Sequence, residues 1–213
     1  MSKKAFIIGS GGFAKEVLML LDRVESFKDY TFSGFIDVNA GDVQCRGNNY
    51  PSFAEDAFIS EYQGNDEVIL FIGLGDPKKI AFIAKKYEGF SFPNLVSPDV
   101  YIDHSVEMGQ GNIVTAGVKM TADISIGSFN IFNLNMTVGH DVVIGNYNVF
   151  NPLASISGEV KIGNSNLIGL CAAVLQGLCI GDKNIIGGNG LLTKSVEDEK
   201  VMVGVPCKDL MKK

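Results

Sequence analysis

A six-residue period runs through the second half of the chain and limits the folds open to it more than any other feature. Every sixth residue from Val96 to Leu192 is apolar. With 46% of the chain apolar, such a run arises by chance in roughly one in 10⁵ sequences. A second period of 18 residues lies on top of it, in the segments MGQGNI (108), IGSFNI (126), IGNYNV (144), IGNSNL (162) and IGDKNI (180). Three hexads therefore make one coil.

The double period predicts a parallel β-helix, a prism in which each hexad supplies one short strand. Successive coils stack at about 4.8 Å, the ordinary spacing of strands. The six-spaced side chains fill the interior, and the glycine after each of them is expected to supply the corner conformation. One column of asparagines is expected to hydrogen-bond along the stack: Asn112, Asn130, Asn148, Asn166 and Asn184.

The first half of the chain alternates strand-like and helix-like segments instead. The predicted strands are 4–9, 30–37 and 67–75, and the predicted helices are 13–24 and 77–87. This order predicts a parallel α/β sheet, too short for the two halves of a full dinucleotide-binding fold. We therefore predict a half-Rossmann domain over 1–92 and the β-helix domain, with a closing segment, over 93–213.

Composition excludes several classes of function. The net charge of −6 argues against nucleic-acid binding, which needs a basic surface. The four cysteines show no CxxC spacing, so we expect no metal site and reduced thiols. No segment approaches the roughly 20 apolar residues of a membrane-spanning helix. A cytoplasmic protein without a membrane contact is predicted.

A glycine-rich loop, GSGGFAK, joins the first strand to the first helix. Its backbone at Gly9, Ser10, Gly11 and Gly12 is suited to approach a phosphate at the helix N-terminus, with Lys15 nearby, although the pattern also occurs in plain tight turns.

Two further positions extend this predicted site. Asp37 ends the next strand, where an acid commonly accepts hydrogen bonds from a ribose or a base. Gly73 begins a second glycine turn, IGLGDPKK, which is expected to meet the first turn at the carboxyl ends of the strands. We predict that both residues bind substrate.

One column of the repeat carries both histidines of the chain. It contains His104, Ala122, His140, Gly158, Gln176 and Lys194. Gly158 lies one coil from His140, which predicts open space beside the imidazole and a backbone N–H facing it, an arrangement suited to acyl transfer. Asp141 can fix the imidazole tautomer if Gly139 allows a corner there. His104 competes for the role, and His140 could also be a solvated turn residue.

The repeat resembles that of the hexapeptide-repeat acyltransferases, which implies a left-handed β-helix, acetyl-CoA as co-substrate, and a homotrimer with active sites between neighbouring prisms. With the front domain included, the chain resembles the family of sialic acid O-acetyltransferases and nucleotide-4-amino-sugar N-acetyltransferases. The matching segments are GSGGFAKEV, GFID, GHDVVIG with Gly158, and GVPCK.

The resemblance implies roles for individual residues. His140 matches the general base, Asp141 the acid that orients it, and Asn133 an asparagine near the reaction centre. Gly158 matches the amide that holds the thioester oxygen. The implied contacts of coenzyme A are Leu170, Gly188, Gly204, Val205, Pro206 and Lys208.

Three positions depart from the family pattern. Val149 stands where a second histidine is often found, which leaves His140 alone. Phe13 replaces a histidine in the glycine loop, and Cys207 replaces the alanine of the closing segment.

These features predict direct acetyl transfer from acetyl-CoA to the 4-amino group of a UDP-linked deoxy sugar, as in the bacillosamine pathway. O-acetylation of a sialic acid or a related sugar is the alternative within the same class. A nucleotide-binding scaffold without catalysis is the non-enzymatic alternative. A route through an acyl-enzyme on Cys171 is disfavoured because no basic residue lies nearby in sequence, and the chain is too short for a nicotinamide oxidoreductase.

Overall fold

The computed structural model describes residues 3–210, which form a small α/β domain followed by a long coil of short strands. The front domain has five strands: β1 (Lys3–Ile8), β2 (Tyr30–Asp37), β3 (Gly41–Cys45), β4 (Asn48–Ala54) and β5 (Val68–Ile72). Its helices are α1 (Gly12–Leu21), a 3-10 turn (Glu25–Phe27), α2 (Glu55–Tyr62) and α3 (Pro77–Lys86).

The front sheet has the strand order β3-β4-β2-β1-β5 and is parallel except for its edge strand β3. The central strand β1 is buried along most of its length, with Phe6 and Ile7 fully covered. Aromatic rings from β4 and α2 pack edge-on against Phe6, with Phe53 at 5.6 Å and Phe58 at 4.8 Å between ring centroids. The parallel pairing of β1 with β2 and with β5 brings the carboxyl ends of these three strands side by side.

The predicted strands and helices of this domain are all present, but the sequence reading missed the hairpin β3–β4 and helix α2. The hairpin turns at Arg46 and Gly47, both with positive φ of 52° and 79°. Such a two-residue turn is usually signalled by Asn-Gly or Asp-Gly, and Arg-Gly gives a weaker signal.

The second half winds into a triangular prism of stacked parallel strands, mostly two residues long. The first face contains Leu95–Val96, Ile113–Val114, Ile131–Phe132, Val149–Phe150, Leu167–Ile168, Ile185–Ile186 and Val201–Val203, with Lys208–Asp209 antiparallel at its end. The second face contains Tyr101–Ile102, Lys119–Met120, Thr137–Val138, Ser155–Ile156, Ala173–Val174 and Leu191–Leu192. The third face contains Glu107–Met108, Ser125–Ile126, Val143–Ile144, Lys161–Ile162 and Cys179–Ile180.

Strand residues of the prism up to Leu192 pair with the residue 18 positions away, as the period predicts. Val138, for example, is paired with Met120 on one side and Ile156 on the other. The six-spaced side chains form the interior, where Phe132 and Phe150 stack at 5.1 Å with their planes 7° apart.

The glycines after the inward residues have a different role from the predicted one. They do not adopt positive φ; a Cβ on Gly127 would lie 2.6 Å from the carbonyl oxygen of Gly145, and a Cβ on Gly145 would lie 2.6 Å from that of Gly163. These glycines are required because the next coil stacks directly on them.

The corners are made by the residue two places later, which is left-handed in coil after coil. Glycine occupies this place at only a few corners; Phe129, Asp141 and Tyr147, with φ of 60°, 57° and 61°, are typical of the others. A non-glycine residue at positive φ costs free energy of order 1 kcal/mol, and the hydrogen bonds between coils offset that cost.

The predicted asparagine ladder is confirmed. The Nδ2 groups of Asn130, Asn148 and Asn166 each donate to the Oδ1 of the asparagine one coil earlier, at 3.1, 3.0 and 3.0 Å. The ladder ends at Asn184, whose buried Nδ2 has no hydrogen-bond partner among residues 3–210. The final coil is two residues short, because Lys200 bonds to Asn184 across 16 residues instead of 18.

The front domain covers the first face of the prism. The outward residues Ile113, Ile131 and Val149 on this face are at most 3% exposed and belong to the same apolar cluster as the front sheet. Phe92 packs against Phe129 at 5.2 Å, which fixes the end of the front domain to a corner of the prism. Outward residues of the third face, such as Val143, remain exposed.

Replacing Asn148 with alanine is expected to lower the free energy of unfolding by about 3 kcal/mol, because the buried amide groups of Asn166 would lose their acceptor and the Gly163 carbonyl a donor. Thermal unfolding followed by circular dichroism measures the loss. Ser125→Ala, on an exposed strand position, is the matched control. An unchanged melting curve for Asn148→Ala would show that the ladder adds nothing to stability.

Candidate active site

His140 lies at the corner between the second and third faces, half exposed, with its side chain directed to Asp141. Its Nδ1 is 2.7 Å from Oδ2 of Asp141. Adjacent strand residues point to opposite faces, so this contact needs the left-handed conformation of Asp141 itself. The predicted cause, Gly139, is wrong: that glycine has no positive φ and is needed because its Cβ would lie 2.6 Å from the Gly158 nitrogen.

The contact with Asp141 determines which imidazole nitrogen is free. A carboxylate can only accept a hydrogen bond, so Nδ1 carries the proton and donates it to Asp141. In the neutral ring Nε2 then has the free lone pair. The pair therefore presents a basic nitrogen on the side away from Asp141.

Gly158 faces that basic nitrogen. A Cβ on Gly158 would lie 2.6 Å from Nε2 and 2.7 Å from Cε1 of His140. The imidazole ring packs against the Gly158 backbone and fills the space that a side chain at this position would take. The open space expected beside the ring is therefore not present. Within residues 3–210, the Gly158 N–H donates no hydrogen bond, although its carbonyl accepts one from Gly177.

His104, the competing histidine, lacks such an environment. Its side chain is 96% exposed, and its only charged contact among the described residues is Asp103 at 3.3 Å. Hydrogen bonds from the amide and hydroxyl of Ser105 lower the pKa of Asp103. The Asp103 carboxylate is therefore engaged in the turn at Ser105. One coil after His104 the column contains Ala122, whereas one coil after His140 it contains Gly158.

The two helices that follow the glycine turns differ at their N-termini. Helix α1 begins after Gly11 with no side-chain cap and no acidic residue in its first turn, and a Cβ on Gly11 or Gly12 would meet nothing within 4 Å. Helix α3 is already capped by Asp76, which accepts hydrogen bonds from the amides of Lys78 and Lys79. Of these two helices, α1 is therefore the one that offers uncapped N–H groups to an anion.

A cavity of about 390 Å³ opens beside this loop at the carboxyl ends of the strands. Four of the residues predicted to bind substrate line it, namely Gly9, Ser10, Gly11 and Asp37, whereas Gly12 and Lys15 are not among its lining residues. The Asp37 carboxylate accepts hydrogen bonds from the Ser10 hydroxyl and, at 2.7 Å, from the Val38 amide. Asp37 thus ties the first loop to the end of β2.

Gly73 is not among the lining residues. A Cβ on Gly73 would lie 2.7 Å from the Cα of Ala14 and 2.9 Å from Ile7. Because Gly73 has no side chain, α1 can pack closely on the sheet. This packing explains why a glycine is needed at the position.

The sequence reading missed two residues on the cavity rim, Lys79 and Phe82 of α3. Helical spacing predicts α3 correctly, but which of its faces borders a cavity depends on how the helix packs beside β1 and β2. No local signal in the sequence reports that.

The residues predicted to contact coenzyme A gather at a different corner, between the first and second faces. Leu170 accepts a hydrogen bond from the Asn189 amide, and a Cβ on Gly188 would lie 3.3 Å from the Leu170 carbonyl oxygen. The closing segment returns to this corner, where the Gly204 carbonyl accepts from Leu191. Val205, Pro206 and Lys208 are exposed there.

Asn133 and Cys171 also lie at that corner. Asn133 is 9% exposed and follows the strand Ile131–Phe132, whereas His140 follows the next strand along the coil. Cys171 adopts a φ of 55°. Neither residue meets His140 within one chain, because the width of the second face separates the two corners. Cys207 packs against Gly190 instead, and burial raises the pKa of its thiol.

Comparison with known proteins places this architecture in a family. Residues 4–87 match the family model of the PglD N-terminal domain. PerB from Caulobacter crescentus, solved with CoA and GDP-perosamine, is 30% identical with a TM-score of 0.83, over 97% of this chain and 96% of that one. WeeI from Acinetobacter baumannii is 28% identical with a TM-score of 0.82, over 97% and 99% of the two chains.

One more solved structure shows the fold alone. The acetyltransferase domain of PglB from Neisseria gonorrhoeae is 23% identical with a TM-score of 0.87, over 98% of this chain and 100% of that one. No curated protein sequence matches the chain at a significant level.

The chain belongs to the hexapeptide-repeat family of acetyl-CoA-dependent sugar N-acetyltransferases. The predicted fold class, a half-Rossmann domain followed by a left-handed parallel β-helix, is confirmed. Over residues 3–210 there is no group of three side chains able to hold a metal ion. None of the helices in that range has the length and apolar character to cross a bilayer.

Replacing Gly158 with alanine is expected to displace the imidazole of His140 and to lower kcat on the order of 10²-fold. The fold should persist because Gly158 does not need a positive φ. Release of the CoA thiol gives kcat, and the melting temperature reports folding. Gly41→Ala, where a Cβ would meet nothing, is the control. A Gly158→Ala enzyme of normal kcat would separate the glycine from catalysis.

Proposed function

We propose that the protein transfers the acetyl group of acetyl-CoA to the 4-amino group of a nucleotide-linked deoxy sugar, with His140 as general base. The observation that carries the proposal is the imidazole held by Asp141 at 2.7 Å with Nε2 against the bare backbone of Gly158. The solved complex of PerB with CoA and GDP-perosamine supports the substrate class.

The chemistry needs one base and one hydrogen-bond donor. The lone pair of the neutral amine attacks the thioester carbonyl carbon, a C–N bond forms, and the carbonyl oxygen becomes an oxyanion. Nε2 of His140 takes the proton from the attacking nitrogen while the free Gly158 N–H is available to the oxyanion. Collapse breaks the C–S bond, and the proton passes from His140 to the departing thiolate. Asp141 stabilises the imidazolium between the two transfers.

The site is proposed to form between subunits of a homotrimer. In one chain the cavity at the glycine loop belongs to the domain on the first face, whereas His140 lies at the opposite corner of the prism. The second face has apolar side chains exposed along both of its edges: Leu134, Leu153, Leu170 and Leu175, each 39% to 54% exposed. Such an edge favours burial against another copy.

The proposal also specifies which nucleobase the substrate carries. UDP is the prediction from sequence, and the GDP-perosamine complex of a 30% identical relative favours GDP as the second candidate. At the glycine loop, α1 provides free N–H groups for the pyrophosphate that both nucleotides share.

An acetyl-CoA assay against UDP-, GDP- and CMP-linked sugars, each with an amino or a hydroxyl acceptor, tests the reaction. Thiol release is expected with amino acceptors only, and with one nucleotide strongly preferred. Release with hydroxyl acceptors alone would establish O-acetylation instead. Nucleotide binding without any thiol release would leave only a binding scaffold.

Mixed trimers test the position of the site. His140→Ala should lower kcat by about 10² to 10⁴-fold. Gly12→Asp should block the nucleotide by placing a carboxylate at the open N-terminus of α1, where there is room for it. If His140 and the glycine loop of one site come from different subunits, equal co-expression of the two variants restores about a quarter of the sites. A site contained in one chain would leave the mixture as inactive as either variant alone.

A further inference from the structure

Phe82 is an exposed aromatic ring on the rim of the cavity beside the glycine loop. It lies on α3, one residue before the buried Ile83, and its side chain is 66% exposed. Among residues 3–210, Phe82 makes no aromatic ring pair, whereas Phe6, Phe27 and Phe32 each pair with another ring of the front domain's core. Its packing in this chain therefore gives no reason for an aromatic residue at this position.

The walls next to Phe82 are apolar. Ile8, Ile36, Leu74 and Ile83 line the cavity between the ring and the glycine loop. A flat, weakly polar group is suited to such walls, because burial of apolar surface favours it and no buried donor or acceptor is left without a partner.

The charged groups of the rim are already in use, with one exception. Both oxygens of Asp37 accept hydrogen bonds from its own domain, and Glu55 is paired with Lys86 at 2.6 Å. Lys79 has no ion pair among the described residues and stands three positions before Phe82, on the same helix face. The rim thus presents an aromatic ring and a cation together.

We propose that Phe82 is the stacking platform for the nucleobase of the sugar nucleotide. This inference rests on the proposed function and deepens it. The glycine loop holds the phosphates, and the nucleobase lies on the ring of Phe82. The base and the ribose share the cavity of about 390 Å³. Stacking on one ring recognises any base by its face. Selection between uracil and guanine therefore falls to polar groups at the edge of the base.

Removing the ring of Phe82 should weaken the binding of nucleotides and should not change the binding of a sugar phosphate that has no base. Phe82→Ala is expected to raise the Kd of UDP and GDP by about 5-fold to 150-fold, the range for loss of one stacked base. The Kd of ribose 5-phosphate, which has no base, should stay the same. Phe82→Tyr keeps the ring and should bind like the unaltered protein. Met19→Ala, exposed on α1 away from the cavity, is the control.

A fluorescent reporter tests the contact directly, since the chain contains no tryptophan. Phe82→Trp introduces a single indole whose emission should be quenched as UDP or GDP stacks on it, with the Kd seen by calorimetry. Met19→Trp should show no change. Saturating nucleotide that leaves the emission of Phe82→Trp unaltered would overturn the stacking assignment.

The two proposals fail in different ways. If the unaltered protein binds no nucleotide by calorimetry, the proposed function is wrong. If it binds nucleotide and Phe82→Ala binds with the same Kd, the function stands and the platform is wrong. An equal loss for nucleotide and ribose 5-phosphate would make Phe82 a structural residue and likewise reject the platform.

Discussion

The stacking of coils in register is the constraint on which the rest of the molecule depends. Each strand of the prism has only two residues, so no single coil could hold its shape alone. Because strand residues up to the last coil pair with the residue 18 positions away, each of these coils is a template for the next. The asparagine ladder and the glycines under the inward side chains both follow from this contact: the first satisfies polar groups at the corner, and the second removes atoms that would hold the coils apart.

The same stacking forms the candidate catalytic pair from structural elements that recur along the prism. The corner at Asp141 is left-handed like most corners of the prism, and Gly158 lies one coil from His140 as any residue does from its neighbour in the column. What is particular is the choice of residues. Aspartate at the left-handed position brings its carboxylate back to Nδ1, and glycine below removes the Cβ that would push the ring away. A repeat thus becomes a candidate site through a few substitutions, without any local change in the fold.

Period and pairing explain how much of this could be predicted. The prism, the asparagine column and the neighbourhood of His140 and Gly158 depend on contacts at a fixed separation in sequence, so the sequence alone places them. The predicted role of the glycines after the inward residues is wrong because a close approach of the next coil and a positive φ both favour glycine, and the sequence does not distinguish them. Phe82, Lys79 and the tie between Ser10 and Asp37 depend on how α3 and the sheet pack, and no fixed separation encodes that. The hairpin β3–β4 was missed because Arg46-Gly47 is a weak turn signal.

The irregular last coil has a consequence for the strand edges at the end of the stack. A column of unpaired strand edges is a surface on which further copies could add without limit, as in a fibril. Here each face ends under its own chain: Val196 bonds to Cys179, Cys207 to Leu191, and Val201 pairs with Ile185 before Lys208–Asp209 runs back antiparallel. The shortened coil also ends the asparagine ladder, because the Oδ1 of Asn184 accepts a hydrogen bond from the Lys200 amide instead of from another asparagine. The strand edges at this end of the stack are thereby covered by segments of the same chain.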